Sequence, residues 1–134
     1  MIYLYVAAGG AIGAILRWLE GPWVAGWAGG AFPWGTLFIN AGGSLLIGFL
    51  LRWLPARGAR LEVRAFFAVG ICGGYTTFST YAFETVSLAA SGRLPAALAY
   101  AAASVVLCLA ATFAGFALGG AAAQEERAAA AGSP

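Results

Sequence analysis

The chain contains no histidine and no lysine; all seven of its basic side chains are arginines. Charged residues make up only 9% of its 134 positions, against about 25% in a soluble domain. So few charges cannot cover a water-facing surface, which leaves a lipid bilayer as the expected surroundings. A formal net charge of +2 is too small for a nucleic-acid footprint, and no nucleic-acid partner is expected. There are two cysteines, Cys72 and Cys108, both inside apolar stretches. That placement argues against a disulfide framework and against a zinc site, and both are read as buried apolar side chains. No nucleophile–base pair or metal cluster stands out, so no enzyme is expected. The opening MIYLYVAAGGAIGAILRW lacks the basic stretch of a secretory signal, and is read as a membrane helix that is retained.

What the sequence has in abundance is apolar surface: 62% hydrophobic residues and a mean hydropathy of +0.86. About 20 apolar residues span a bilayer core. Four segments meet that requirement, at about 2–19, 33–53, 63–90 and 95–119. The expected fold is an all-α integral membrane protein with one four-helix domain over residues 1–120 and a polar, disordered tail over 121–134. Between the spans lie a Gly/Trp/Pro connector (21–32), the basic turn PARGAR (55–60) and a Ser-Gly-Arg turn (91–93). Trp18, Trp23, Trp27, Trp34 and Trp53 fall near segment ends, where amphipathic rings favour the headgroup level. Four crossings put both termini on one side with Arg52, Arg57, Arg60, Arg64 and Arg127, leaving Arg17 and Arg93 on the other. This bias leans toward cytoplasmic termini. Small residues pair at four-residue spacing (Gly9/Gly13, Ser44/Gly48, Gly70/Gly74, Gly115/Gly119), as close helix packing in lipid requires. A single four-helix unit is small for a pathway, so self-association is expected.

One stretch departs from this apolar background. In GGYTTFSTYAFE (73–84), two glycines precede a run in which every side chain from Tyr75 to Tyr81 except Phe78 bears a hydroxyl, and Glu84 closes it. A helix break in a membrane is tolerated where freed backbone groups find protein, ion or water. Such a break is expected near 73–77, with carbonyls able to ligate a hard cation; an unbroken helix with back-bonded hydroxyls is the alternative. Thr36, Asn40 and Ser44 recur at spacing four on the second span, and Tyr100, Ser104, Cys108 and Thr112 on the fourth. These rows serve either as interhelical glue or as a path. Their chemistry suits an anion: hydroxyls, an amide and ring edges all present positive hydrogens. Glu84 reads as an interfacial, solvated residue or an arginine's partner.

GAILRW (13–18), GTLFINAGGSLLIGF (35–49) and GICGGYTTFSTYAFE (70–84) closely resemble the small fluoride channels of the Fluc or CrcB family, across all four segments in order and spacing. The resemblance implies an antiparallel, dual-topology homodimer of four-helix subunits with a broken third helix, in the plasma (inner) membrane of a prokaryote. It implies two fluoride pathways per dimer and a structural sodium ion at the centre, held by backbone carbonyls at Gly73 and Thr76. Asn40 matches the pore asparagine and Phe78 the first pore phenylalanine, with Tyr81 in the place of the second. Tyr100 and Ser104 match the start of a polar track whose third position falls on Cys108, and Thr112 extends that row. Thr36, Thr77, Ser79 and Thr80 match pore-side hydroxyls, Glu84 the acid that follows them, and Arg17 the first-helix arginine. The implied function is passive export of fluoride down its electrochemical gradient. Tyr81, Cys108 and the five-to-two arginine bias depart from the family pattern, and the last admits a pairing with a homologous chain of opposite topology. A proton-coupled fluoride antiporter using Glu84, a drug or cation antiporter, and an assembly protein with no flux are the rival readings.

Overall fold

The computed structural model describes residues 1–27 and 32–131, with side chains at 1–22 and 32–131. All regular structure in these residues is helical. Helix α1 covers Ile2–Trp27 and α2 covers Trp34–Ala56. A continuous rod then comprises α3 (Leu61–Arg64), a π-helical stretch (Ala65–Ile71) and α4 (Cys72–Tyr75). Helix α5 spans Phe78–Ala90, and α6 spans Leu94–Ala131. Three of these helices are long and apolar enough to cross a bilayer: Ile2–Pro22, Trp34–Ala56 and Leu94–Ala131. The third expected crossing is divided into the α3–α4 rod and α5, each about 20 Å long at 1.5 Å per residue.

Two connections close with the same device. After α2, Gly58 (φ 65°) lets its N–H reach Pro55 O and the Ala59 N–H reach Leu54 O. After α5, Gly92 (φ 77°) does so for Ala89 O, and Arg93 for Leu88 O. These are Schellman closures, which need a left-handed residue that glycine supplies without a Cβ clash. The expected connector at 21–32 is helical as far as Trp27, because α1 continues past the expected end at 19; residues 28–31 lie outside the described residues, as do the side chains of Trp23 and Trp27 and residues 132–134.

The small-residue pairs act as backbone contacts within the chain. A Cβ at Gly13 would meet Ile71 O, and one at Gly74 would meet Gly10 O, so α1 lies against the rod. A Cβ at Gly48 would meet Thr112 O, and one at Gly115 would meet Leu45 O, so α2 and α6 are equally close. The core is thin: among the described residues the largest fully buried side chains are Tyr100 and Cys72. Phe78, Phe83 and Phe113 are each more than 70% exposed, as befits faces turned to lipid or to another chain.

The tail departs from expectation. Residues 121–131 continue α6 instead of forming a disordered segment. AAAQEERAAAA is built from strong helix formers, and Glu126 Oε2 pairs with Arg57 Nε at 3.0 Å, tying it to the end of α2. Arg57 also lies over the Trp53 ring at 4.6 Å.

Candidate functional site

The break falls at Thr76 and Thr77, whose backbones are extended (φ −79°, ψ 157° and φ −150°, ψ 117°). Gly73 and Gly74 sit within the last helical turn before it. The interruption is therefore made by two β-branched residues, which favour extended backbone, while Gly74 serves the contact with α1. Thr77 then restarts the chain as the N-cap of α5, its Oγ1 accepting from the Thr80 N–H at 3.2 Å. The same Oγ1 donates to Thr80 Oγ1 and lies 3.1 Å from Ser79 Oγ. The hydroxyl run thus organises the new helix start before it offers anything to a ligand.

Two helices grip the break from either side. From α2, Asn40 Nδ2 donates to Thr77 O (3.0 Å) and its Oδ1 accepts from the Thr77 N–H (2.8 Å). An unbroken helix would aim that N–H at the Gly73 carbonyl. From α1, Arg17 Nη1 reaches Thr76 O at 3.4 Å, and Glu20 Oε2 accepts from the Tyr75 hydroxyl. The Thr76 hydroxyl bonds back to Cys72 O.

Two clefts meet at Thr77. The smaller, of about 320 Å³, is lined by Asn40, Gly73, Thr76, Phe78, Tyr81, Ser104 and Cys108, among others. The Phe78 and Tyr81 rings stand 5.4 Å apart at its wall. Ser104 Oγ, on this cleft, is the one buried side-chain N or O among the described residues that makes no well-formed hydrogen bond, although the Tyr100 phenol stands close to it. The larger cleft, of about 730 Å³, is lined by Arg17, Thr36, Thr80, Glu84 and Arg93 among others.

Between the clefts the donors are already engaged. Glu84 Oε1 accepts from Thr36 Oγ1 (2.9 Å), and Oε2 accepts from the fully buried Tyr100 hydroxyl (2.7 Å). Glu84 is therefore neither an arginine's partner nor merely solvated; it draws α2, α5 and α6 together. Thr112 lines neither cleft and donates back to Cys108 O, so the fourth-helix row ends at Cys108. Ser79 lies outside both clefts as well. The contact of Glu20 with Tyr75 was missed from sequence because no spacing rule links a residue of one helix to a phenol 55 positions later.

The arrangement joins apolar walls, ring edges and neutral donors, with two arginines at the wider opening. Residues 4–116 match the family described as CrcB-like protein, Camphor Resistance (CrcB). A protein of Rhizobium meliloti named fluoride-specific ion channel FluC is 50% identical over 116 residues, covering 86% of this chain and 93% of its own. One from Thermus thermophilus with the same name is 52% identical over 120 residues, covering 89% of this chain and 94% of its own. One from Rhodospirillum rubrum, also so named, is 49% identical over 114 residues, covering 81% and 87% respectively. The names describe ion channels and not enzymes. With its membrane-length helices and a match running through every helix, the chain belongs to the CrcB-like family of membrane proteins.

Proposed function

We propose that the protein is a fluoride-selective channel that lets cytoplasmic fluoride leave passively down its electrochemical gradient. The observation that carries this reading is Ser104 Oγ, buried without a well-formed hydrogen bond on the cleft that also holds Asn40 and the Phe78 and Tyr81 rings. A buried donor left unpaired is rare and calls for an occupant. The names of the relatives supply the ion: a small anion accepts from hydroxyl, amide, thiol and ring-edge hydrogens. Asn40 retains one N–H after its bond to Thr77 O.

Removing fluoride's hydration shell in a low dielectric is costly. A line of fixed neutral donors replaces that shell without trapping the ion as a fixed cation in the path would. Arg17 and Arg93 at the wider cleft raise the local anion concentration before dehydration begins. Narrowness and donors spaced for a small ion disfavour larger halides. No covalent step is involved.

The narrow cleft exposes Asn40 and the broken backbone along one side of the chain, which hydrocarbon would not tolerate. A second copy in the opposite orientation covers it in this reading, and Phe78, 78% exposed, is turned to that partner. The carbonyls of Gly73 and Thr76 fit a sodium ion. The first is deprived of its helical N–H by Asn40, and the second receives only the long contact from Arg17. Bound there, sodium would supply fixed positive charge near the pathway. The setting is the plasma membrane of a prokaryote.

The test is efflux from liposomes loaded with potassium fluoride, followed with a fluoride electrode, with valinomycin to relieve charge and chloride-loaded liposomes alongside. Fast fluoride release that needs valinomycin, with chloride retained, is expected. Uphill fluoride movement driven by a pH gradient, with valinomycin present to relieve charge, would favour proton-coupled antiport through Glu84, whose carboxylate borders the wider cleft. No release from folded protein would reduce the polar rows to glue.

A further inference from the structure

Arg17 and Glu20 lie three residues apart on α1, a spacing that makes opposite charges neighbours on a helix surface. They are not paired. The one salt bridge among the described residues joins Arg57 to Glu126. Glu20 Oε2 instead accepts from the Tyr75 hydroxyl, while Arg17 Nη1 reaches the neutral Thr76 carbonyl at 3.4 Å. Tyr75, the last residue of α4, and Thr76, the first of the break, thus each take up one of these two α1 side chains. Arg17 keeps its positive charge without an ion-pair partner among the described residues, on the wall of the 730 Å³ cleft that Glu84 also lines.

We propose that Tyr75 sequesters Glu20 from Arg17, so that the Arg17 guanidinium remains an uncompensated cation for the incoming anion. This rests on the channel reading above. Glu20 and Tyr75 are positioning residues in it; neither lines either cleft. Without the phenol, the Glu20 side chain is free to turn one helical turn back and pair with Arg17. An ion-paired arginine concentrates anions less, so the loss should fall on entry, at low fluoride, more than on the maximal rate.

The experiment reads the sign of an interaction between two substitutions. In liposomes, Tyr75→Phe should slow fluoride efflux at low fluoride by about tenfold, the scale of electrostatic focusing in a charged cleft. Adding Glu20→Gln to that variant should recover most of the wild-type rate, because no carboxylate is left to neutralise Arg17. If the contact were only structural, the double variant would be at least as slow as Tyr75→Phe. That result, or wild-type efflux in Tyr75→Phe, overturns the proposal. A second readout does not depend on transport: proton exchange of the Arg17 guanidinium, followed by nitrogen-15 NMR of the full chain in micelles. It should slow in Tyr75→Phe as the ion pair forms; unchanged exchange would count against the proposal. Should Tyr75→Phe fail to fold, wild type and Glu20→Gln are compared. Equal Arg17 exchange supports the sequestered carboxylate, and faster exchange in Glu20→Gln would reveal an existing pair and overturn it. Slowed exchange in Tyr75→Phe, with no fluoride flux from wild type, would refute the channel reading while leaving the pairing in place.

Discussion

Asn40 and Ser104 differ in what they have left to give, although both line the narrow cleft. Asn40 uses its Oδ1 and one N–H on the Thr77 backbone, so it clamps the break and still offers one donor. Asn40→Asp should abolish flux for two reasons: the Thr77 carbonyl loses its donor, and an anion is set in the anion's path. A like charge about 4 Å from the ion costs about 4 kcal/mol at an effective dielectric of about 20, or about 1,000-fold in rate. Fluoride efflux from liposomes checks it, and near-wild-type efflux would refute the placement of Asn40 in the path. Ser104 Oγ has no well-formed bond to lose. Ser104→Ala should slow efflux about tenfold, the worth of one hydrogen bond to an ion, yet raise stability by about 1 kcal/mol by removing a buried unsatisfied group. Slower flux with a higher melting temperature is the expected signature; lower stability would mean that the hydroxyl is glue. Glu84, by contrast, was legible as an acid after the polar run but not as the acceptor for Thr36 and Tyr100. Those donors come from α2 and α6, and spacing within a segment says nothing about which distant segment will meet it.

At the scale of elements, helix contacts rest on missing side chains. Gly48 and Gly115 bring α2 and α6 to backbone contact, and Gly9, Gly13 and Gly74 do the same for α1 and the α3–α4 rod. Gly115→Val places carbon atoms against Leu45 O, and should destabilise the protein by about 3 kcal/mol, the upper range for overpacking. Thermal unfolding in detergent measures this, and an unchanged melting temperature would mean that α6 does not lie where the structure puts it. The small-residue spacing revealed these faces without their partners. The break was legible as a region, 73–77, from its glycine pair and hydroxyl run, but what holds it open was not. In the structure, Asn40 and Arg17 stabilise an extended Thr76–Thr77 pair from outside the segment. The end of α6 was misread because a polar, alanine-rich stretch looks frayed until Arg57 is found within 3.0 Å of Glu126.

For the whole molecule, the open narrow cleft and the exposed Phe78 face make a single copy an incomplete pathway under the proposed function. If sodium bridges two copies through the Gly73 and Thr76 carbonyls, its removal should loosen the assembly. Sodium at about 100 times its Kd would add about 2.7 kcal/mol. Exchanging it for a bulky organic cation should therefore lower the melting temperature by roughly 5–10 °C. Calorimetry in detergent tests this; a melting temperature indifferent to sodium would remove the ion from the account. The arginine bias, with Arg52, Arg57, Arg60, Arg64 and Arg127 facing Arg17 and Arg93 in sequence, is partly offset where Arg57 is paired with Glu126.

By itself the sequence determined the solvent, the helical class and the rows of neutral donors, because each follows from local composition and spacing: too few charges for water, apolar runs of membrane length, polar side chains recurring every four residues. Tertiary structure alone decided which donors remain available. Thr36 and Tyr100 are engaged by Glu84, Thr77 by its own helix start, and Tyr75 by Glu20, while Ser104 makes no well-formed bond. A hydrogen bond between distant segments depends on where two backbones meet in space, and no pattern within either segment carries that distance.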